Sequence, residues 1–434
     1  MKHAIVRLIV LGGMAVTLAH AATSRHVTLA VAGRASASAS IAATGKVAVV
    51  AWAATAPGGA TDIYAARSTD GGRTFGAAVR VNDAAGDASV GGEQPSHVAL
   101  VPRPGVEPSI VVVWTTKRKE GTRILSARSD DGGAMFGKAR PLAGGEAPGN
   151  RGWEAIATDR DGRVVSVWLD HRETASSPSG AAPMQHEGHD HVGGGKAAVN
   201  GADRVDGAVR AQMSKLYFSR LDADGQAAGA VAAGVCYCCK TAVAAGADGA
   251  IYAAWRHVYP GNIRDIAFAV SRDGGRTFSA PLRVSDDHWV LDGCPENGPA
   301  MALDSRQGVH IVWPTLVSGP TADAEPTLEL FYAFSTDGRG FTARRRLPAQ
   351  GLPRHVNIAA TPDDSLVAVW EEQAAGSRRV VIGRAREGQP FTRRVVSTGE
   401  RASYPAVAAT EAATLVAWTS ESNGQSTIQV SRVD

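Results

Sequence analysis

The chain has four cysteines, in two short stretches: Cys236-Tyr-Cys238-Cys239, and Cys294. Thiolates clustered this tightly favour soft ions, Cu(I) or Zn, over hard oxygen-seeking cations. Upstream, Met184, His186, His189 and His191 gather a thioether and three imidazoles within eight residues, a composition suited to binding metal. Copper is the metal this donor set favours. Zinc competes if all four sulfurs are reduced and tetrahedrally disposed. An even cysteine count would also suit two disulfides in an oxidising compartment. Of the three connectivities, one needs a bridge between adjacent Cys238 and Cys239. Another pairs Cys236 with Cys238 across one residue, and both are awkward for disulfide geometry. A mixed state, one disulfide beside a thiol pair, is the third alternative.

A second set of chemically able residues recurs at regular places. Arg151-Gly-Trp153-Glu154, Glu296-Asn297 and His355 precede short apolar strands, as do Glu93, His97, Lys240, Arg354, Asn357 and Tyr404. Asp170-His171, Arg256-His257 and Glu371-Glu372 follow tryptophans. These stretches are far more polar than the Ala/Val runs beside them, which points to a ligand-binding surface. Trp153, Arg256 and the cysteines are costly to leave at a wet surface.

The elements that must carry these groups repeat. Trp52 closes VVAW, and Trp114, Trp168, Trp255, Trp313, Trp370 and Trp418 each close a similar apolar run. The steps between them are 62, 54, 87, 58, 57 and 48 residues. That period suits a four-stranded propeller blade of roughly 40–50 residues plus loops. The frame is a first strand, a turn, the Trp strand, a third strand, a glycine-rich turn and a fourth strand. Counting predicts an all-β protein, a single seven-bladed β-propeller, with six blades as the alternative. The seventh repeat stops after its third strand, and HVTLAVA at 26–32 is expected to complete it and remove the open edge. The starts of the first strands and the loops after the Trp strands then share one face, around the central channel. Both cysteine stretches fall there, on neighbouring blades.

The 87-residue step holds an insertion at about 173–210, rich in Ala, Gly and Ser. It reads as a disordered loop over the channel mouth and carries the His-rich segment. Before the repeats, MKHAIVR and an apolar run of 12 residues end at Ala19-His20-Ala21, a secretory signal peptide over 1–21. The run is too short to span a bilayer, which needs about 20 residues. The expectation is a periplasmic or secreted protein over 22–434. The formal net charge is +3, and Lys2 and Arg7 account for two of it. No basic run survives, which excludes nucleic acid as a partner.

The turns after the third strands carry the clearest motif. They read Ser68-Thr-Asp70-Gly-Gly-Arg-Thr-Phe75, Ser129-Asp-Asp131-Gly-Gly-Ala-Met-Phe136 and Ser271-Arg-Asp273-Gly-Gly-Arg-Thr-Phe278, with a shortened copy from Ser335 to Phe341. Asp accepts backbone N–H groups across the turn, and the glycines permit positive φ. These are Asp-boxes, and the chain resembles the sialidase-like (BNR-repeat) propeller superfamily. For a sialidase, the resemblance implies an arginine triad for a carboxylate, a Tyr–Glu nucleophile pair and an Asp acid/base. Arg151, Arg256 and Arg354, with Tyr404 and Asp170, are the residues in place for those roles. No Phe/Tyr-Arg-Ile-Pro signature stands in the first 50 residues, and the cysteines have no part in that chemistry. The favoured reading is therefore an exported binding or copper-type metal-handling propeller whose partner is a metal ion or small molecule. An exo-sialidase or related glycoside hydrolase is the alternative.

Overall fold

The computed structural model describes residues 26–175, 211–221, 228–291, 293, 295–319, 325–386, 388–399 and 401–433. Among them, seven four-stranded antiparallel sheets stand in a ring. Their innermost strands are Ala35–Thr44, His97–Arg103, Arg151–Thr158, Ala242–Ala245, Ala300–Leu303, Leu352–Ala360 and Ala402–Ala409, for blades one to seven. Each packs against the innermost strand of the next blade, and that of blade seven packs against blade one. The propeller has seven blades. His26–Leu29 closes it, pairing antiparallel with Gln425–Val433 as the outer strand of blade seven.

Each second strand is apolar without alternation because blades stack on both of its faces. In Val47–Thr55 every residue from Ala48 to Ala54 is buried. All seven strand-closing tryptophans are fully buried. An indole N–H in so dry a setting needs an acceptor, and three find theirs two residues on. Trp168 donates to Asp170 Oδ2 at 3.1 Å, Trp370 to Glu372 Oε1 at 2.9 Å and Trp255 to His257 Nδ1 at 3.3 Å.

The Asp-boxes tie off the far face. Thr277 donates to Asp273 through both its amide and its hydroxyl, Ser271 Oγ donates to Asp273 Oδ1, and Gly275 N donates to Ser271 Oγ. Gly275 has φ of +86°, and a Cβ there would stand 2.0 Å from Cε1 of Phe218 in the preceding blade. The second glycine of the box is thus required by both backbone conformation and blade contact.

The insertion after Trp168 opens with a helical turn at Arg172–Ala175. Met184, His186, His189 and His191 lie outside the described residues, as does Cys294.

Candidate functional site at the channel mouth

Because strands alternate in direction, the starts of the innermost strands and the ends of the Trp strands share the face opposite the Asp-boxes. Four innermost strands carry the same irregularity there. The pairing register slips between Ala37 and Ser40, Gly152 and Ala155, Arg354 and Asn357, and Ser403 and Ala406. At each bulge one non-glycine residue is left-handed: Ser38 (φ 57°), Trp153 (52°), His355 (53°) and Tyr404 (51°). Such a conformation costs on the order of 1–3 kcal/mol, and bulges of this kind re-aim side chains beside functional sites. The preceding blade supplies a cap. The residue after Trp418, Thr419, accepts from Ser38 N through Oγ1 at 2.9 Å. Glu371, after Trp370, accepts from Tyr404 N through Oε2 at 3.2 Å.

A cavity of about 180 Å³ lies on the ring axis, lined by all seven blades from Ser38 round to Tyr404. Its polar wall is one connected cluster. His355 Nδ1 sits 2.9 Å from Glu371 Oε2, and His355 Nε2 faces Glu93 Oε1 at 3.7 Å. The rings of His355 and Tyr404 are 4.3 Å apart, tilted by 37°. Glu93 Oε2 is 3.4 Å from the amides of both Lys240 and Gly298, and Lys240 Nζ donates to Val356 O at 2.5 Å. The side chains of Glu93, His355 and Glu371 are only 8%, 11% and 3% exposed, so their charges interact through protein more than through solvent.

That setting sorts the protonation states. Burial raises Glu371, but the His355 hydrogen bond, the His355 charge and the Tyr404 amide outweigh it and hold the carboxyl below its ordinary value. Burial, with Glu371 and Glu93 adding to it, pushes the Tyr404 phenol up to about 12. Burial lowers Lys240 against the pull of Glu93, and burial and the Lys240 charge lower His97 to about 4. The cavity therefore presents a neutral phenol as proton donor, an ionised carboxylate bonded to an imidazole, and a lysine.

The structure separates the residues singled out in the sequence. His355 lines the cavity. Arg151 does not. Its guanidinium pairs with Asp170 and donates to Gly145, Ala147 and Thr122 carbonyls, with both ionic side chains fully buried. Arg256 donates to the carbonyls of Asn297, Arg264 and Pro314 beneath the Trp289 ring. The carboxylate-binding triad implied by the resemblance thus lacks two of its three members, and Asp170 caps Trp168 instead of serving as an exposed acid. Their polarity reads like ligand chemistry, but their hydrogen bonds are taken up inside the fold. Asn297 is buried, its Nδ2 on Pro295 O, and Glu296 stands exposed. His171 and His257 are each lowered to about 4, chiefly by burial, and are neutral. Trp153 stacks edge-on against His171 at 5.9 Å. Glu93, Lys240 and Tyr404 line the cavity beside His355, and Glu371 stands behind the His355 ring. Their places before the first strands and after the tryptophans marked them in the sequence, and the ring closure selects them from the other candidates there.

Glu154 does not line the cavity. It is buried beside blade two, where Oε2 accepts from Thr115 Oγ1 at 3.0 Å and Oε1 has no partner. Burial raises its carboxyl from 4.5 to about 7, against the Thr115 hydrogen bond. A carboxyl raised on folding stabilises the fold fully below its unfolded value and loses that contribution as pH rises through the folded one. Thermal midpoints of the wild type should therefore carry a downward slope between pH 4.5 and about 7. Glu154→Gln should flatten that part of the curve and exceed the wild type above it. An unchanged slope would refute the assignment.

Next to the cavity-lining Lys240, Cys236, Cys238 and Cys239 converge, all buried, with their sulfurs within 4.8 Å of one another. Cys236 and Cys239 are unbridged, their sulfurs 3.6 Å apart, while Cys238 is not free. Burial raises both free thiols. For Cys236 the Cys239 hydrogen bond and the Arg264 and Arg256 charges outweigh it and draw it to about 6, while Cys239 is pushed well above the usual thiol range.

No protein-family model and no curated protein matches the chain. Solved structures do. An ulvan lyase of polysaccharide lyase family PL25, bound to a GlcA(1-4)Rha3S unit, superposes with a TM-score of 0.56 over 94% of this chain and 96% of that one, at 11% identity. The GH93 α-L-arabinofuranosidase of Fusarium graminearum, in complex with arabinobiose, gives 0.52 over 94% and 96%, at 12% identity. A Penicillium chrysogenum α-L-arabinanase complexed with arabinobiose gives 0.50 over 94% and 98%, at 11% identity. With the Asp-boxes in phase, these matches decide the fold. The chain has a sialidase-like β-propeller fold. In this sialidase-like propeller the boxes are structural turns, and the channel mouth on the opposite face carries the polar cluster.

Proposed function

We propose that this protein is an exported glycan-active propeller that binds a saccharide at the channel mouth and cleaves a glycosidic bond there. The observation that carries the reading is the cluster of Tyr404, His355 and Glu371, built on two left-handed bulges. Cleavage of a sugar linkage, whether by hydrolysis or by elimination next to a uronate carboxylate, needs a proton donor and a base a few ångströms apart. Tyr404 supplies a protonated donor. Glu371, accepting from Nδ1, fixes the His355 ring with Nε2 toward Glu93, and the Glu93 carboxylate on the cavity wall serves as the base. Lys240 supplies positive charge for a carboxylate or sulfate. The lyase and arabinan-active structures that share the fold support a glycan as the ligand class. Sialosides are disfavoured, because Arg151 and Arg256 are engaged inside the fold.

The test is a screen of the purified protein on uronate-containing, arabinan and sialoside substrates. Reducing ends report hydrolysis, and unsaturated-product absorbance reports elimination. Activity is expected on one polymeric substrate, with Tyr404→Phe lowering kcat about 10²–10⁴-fold. No turnover and no retardation in polysaccharide-containing gels would defeat the proposal. The thiol cluster is a separate feature and does not enter it.

A further inference from the structure

Arg264 and Arg256 are among the largest fully buried side chains of the protein. Among the described residues neither has a carboxylate partner. Arg256 donates to carbonyl oxygens. Arg264 donates to Leu291 O at 2.8 Å, to Asn262 Oδ1 at 3.3 Å and, through Nη1, to Cys236 Sγ at 3.0 Å. Two buried cations without a counter-charge are strongly unfavourable. The polar groups that face them are the thiols: Arg264 reaches Cys236 Sγ, and Cys239 Sγ lies 3.6 Å from that sulfur.

Geometry then selects the ion. Two sulfurs each about 2.3 Å from one ion stand about 3.8 Å apart at a tetrahedral angle and about 4.6 Å apart when opposed. A spacing of 3.6 Å reaches that range with a side-chain adjustment of a few tenths of an ångström to about 1 Å. Zinc needs about four donors. Among the described residues the cysteine stretch is the one group of three or more potential ligands, and it includes no imidazole or carboxylate. Two thiolates in an apolar pocket of Ala211, Val258, Trp153 and Tyr237 suit a soft monovalent ion that is content with few sulfur ligands. Two thiolates and one such ion carry a net charge of −1, which the neighbouring guanidiniums offset.

We infer that Cys236 and Cys239 form a two-thiolate site for Cu(I), with Arg264 holding the Cys236 sulfur from behind. The site is independent of the glycan reading and survives its failure.

The test uses the full chain, reduced and kept anaerobic, titrated with Cu(I) against a chromophoric Cu(I) chelator. The wild type is expected to retain about one ion per chain, and Cys236→Ser and Cys239→Ser none, as soft thiolate ligation requires. Arg264→Gln, which removes an outer-sphere contact, should weaken retention about 10–100-fold. Zn(II) under the same conditions should not be retained. Because a cysteine variant in a buried pocket can misfold, a second measurement uses the wild type alone. Bound Cu(I) should protect Cys236 and Cys239 from alkylation, read by peptide mass spectrometry. Loss of all Cu(I) to the chelator, retention unchanged in both serine variants, or alkylation unaffected by copper would each overturn the assignment.

Discussion

Asp170→Ala should cost the fold about 3–5 kcal/mol, the penalty for leaving a buried charge without its partner. Asp170 accepts from Trp168 Nε1, from the Arg172 amide and guanidinium, and from Arg151 Nε at 3.3 Å. Removing it strands the Arg151 guanidinium, which has no exposed surface, and leaves the Trp168 N–H without an acceptor. Urea unfolding reads the effect as a lower midpoint at unchanged slope. Asp170→Asn keeps the shape but loses the charge, and it should fall between the two. A change under about 1 kcal/mol, the scale of an exposed ion pair, would mean that Asp170 is not the internal anchor described here. If a folded Asp170→Asn protein lost turnover selectively, the acid role implied by the sialidase resemblance would be restored.

Gly92→Ala should slow the reaction without removing a polar group. A Cβ on Gly92 would stand 1.9 Å from Tyr404 Cε1, 2.0 Å from Cζ and 2.5 Å from the hydroxyl. The ring cannot retreat toward His355, whose own ring is 4.3 Å away. The phenol must therefore rotate out of the cavity, or the Gly91–Gly92 turn must shift. A displacement of about 1 Å in a catalytic group is worth about 10²-fold in rate, and overpacking costs the fold about 1–3 kcal/mol. The expected variant is folded, somewhat less stable, and slower by about two orders of magnitude. Full activity in a folded Gly92→Ala protein would show that Tyr404 is not a reacting group. The variant complements Tyr404→Phe, which removes the hydroxyl but leaves the ring in place.

How much of this was legible in the chain follows from the range of the forces involved. The seven tryptophans, their spacing and the Asp-boxes are local patterns. A strand buried on both faces must be apolar throughout, and a box turn needs glycine at its positive-φ positions, so the blade count and the closing strand at 26–32 could be read directly. The convergence of Cys236, Cys238 and Cys239 needed only that they are neighbours in sequence. The roles of the charged residues could not be read. Arg151, Asp170 and Arg256 have the composition of a binding site, and only the tertiary structure shows their hydrogen bonds satisfied within the fold. The cavity residues were among the candidates, but nothing local ranked them above the arginines. Glu93, Lys240, His355, Glu371 and Tyr404 lie 16 to 262 residues from one another in their mutual contacts, and their recurring places in the blades do not say which of them meet. They meet because seven innermost strands converge on one axis, and because left-handed bulges turn His355 and Tyr404 at the channel mouth. A bulge is set by how two strands pair and by a cap from the preceding blade. That is a property of the closed ring and not of any stretch of sequence.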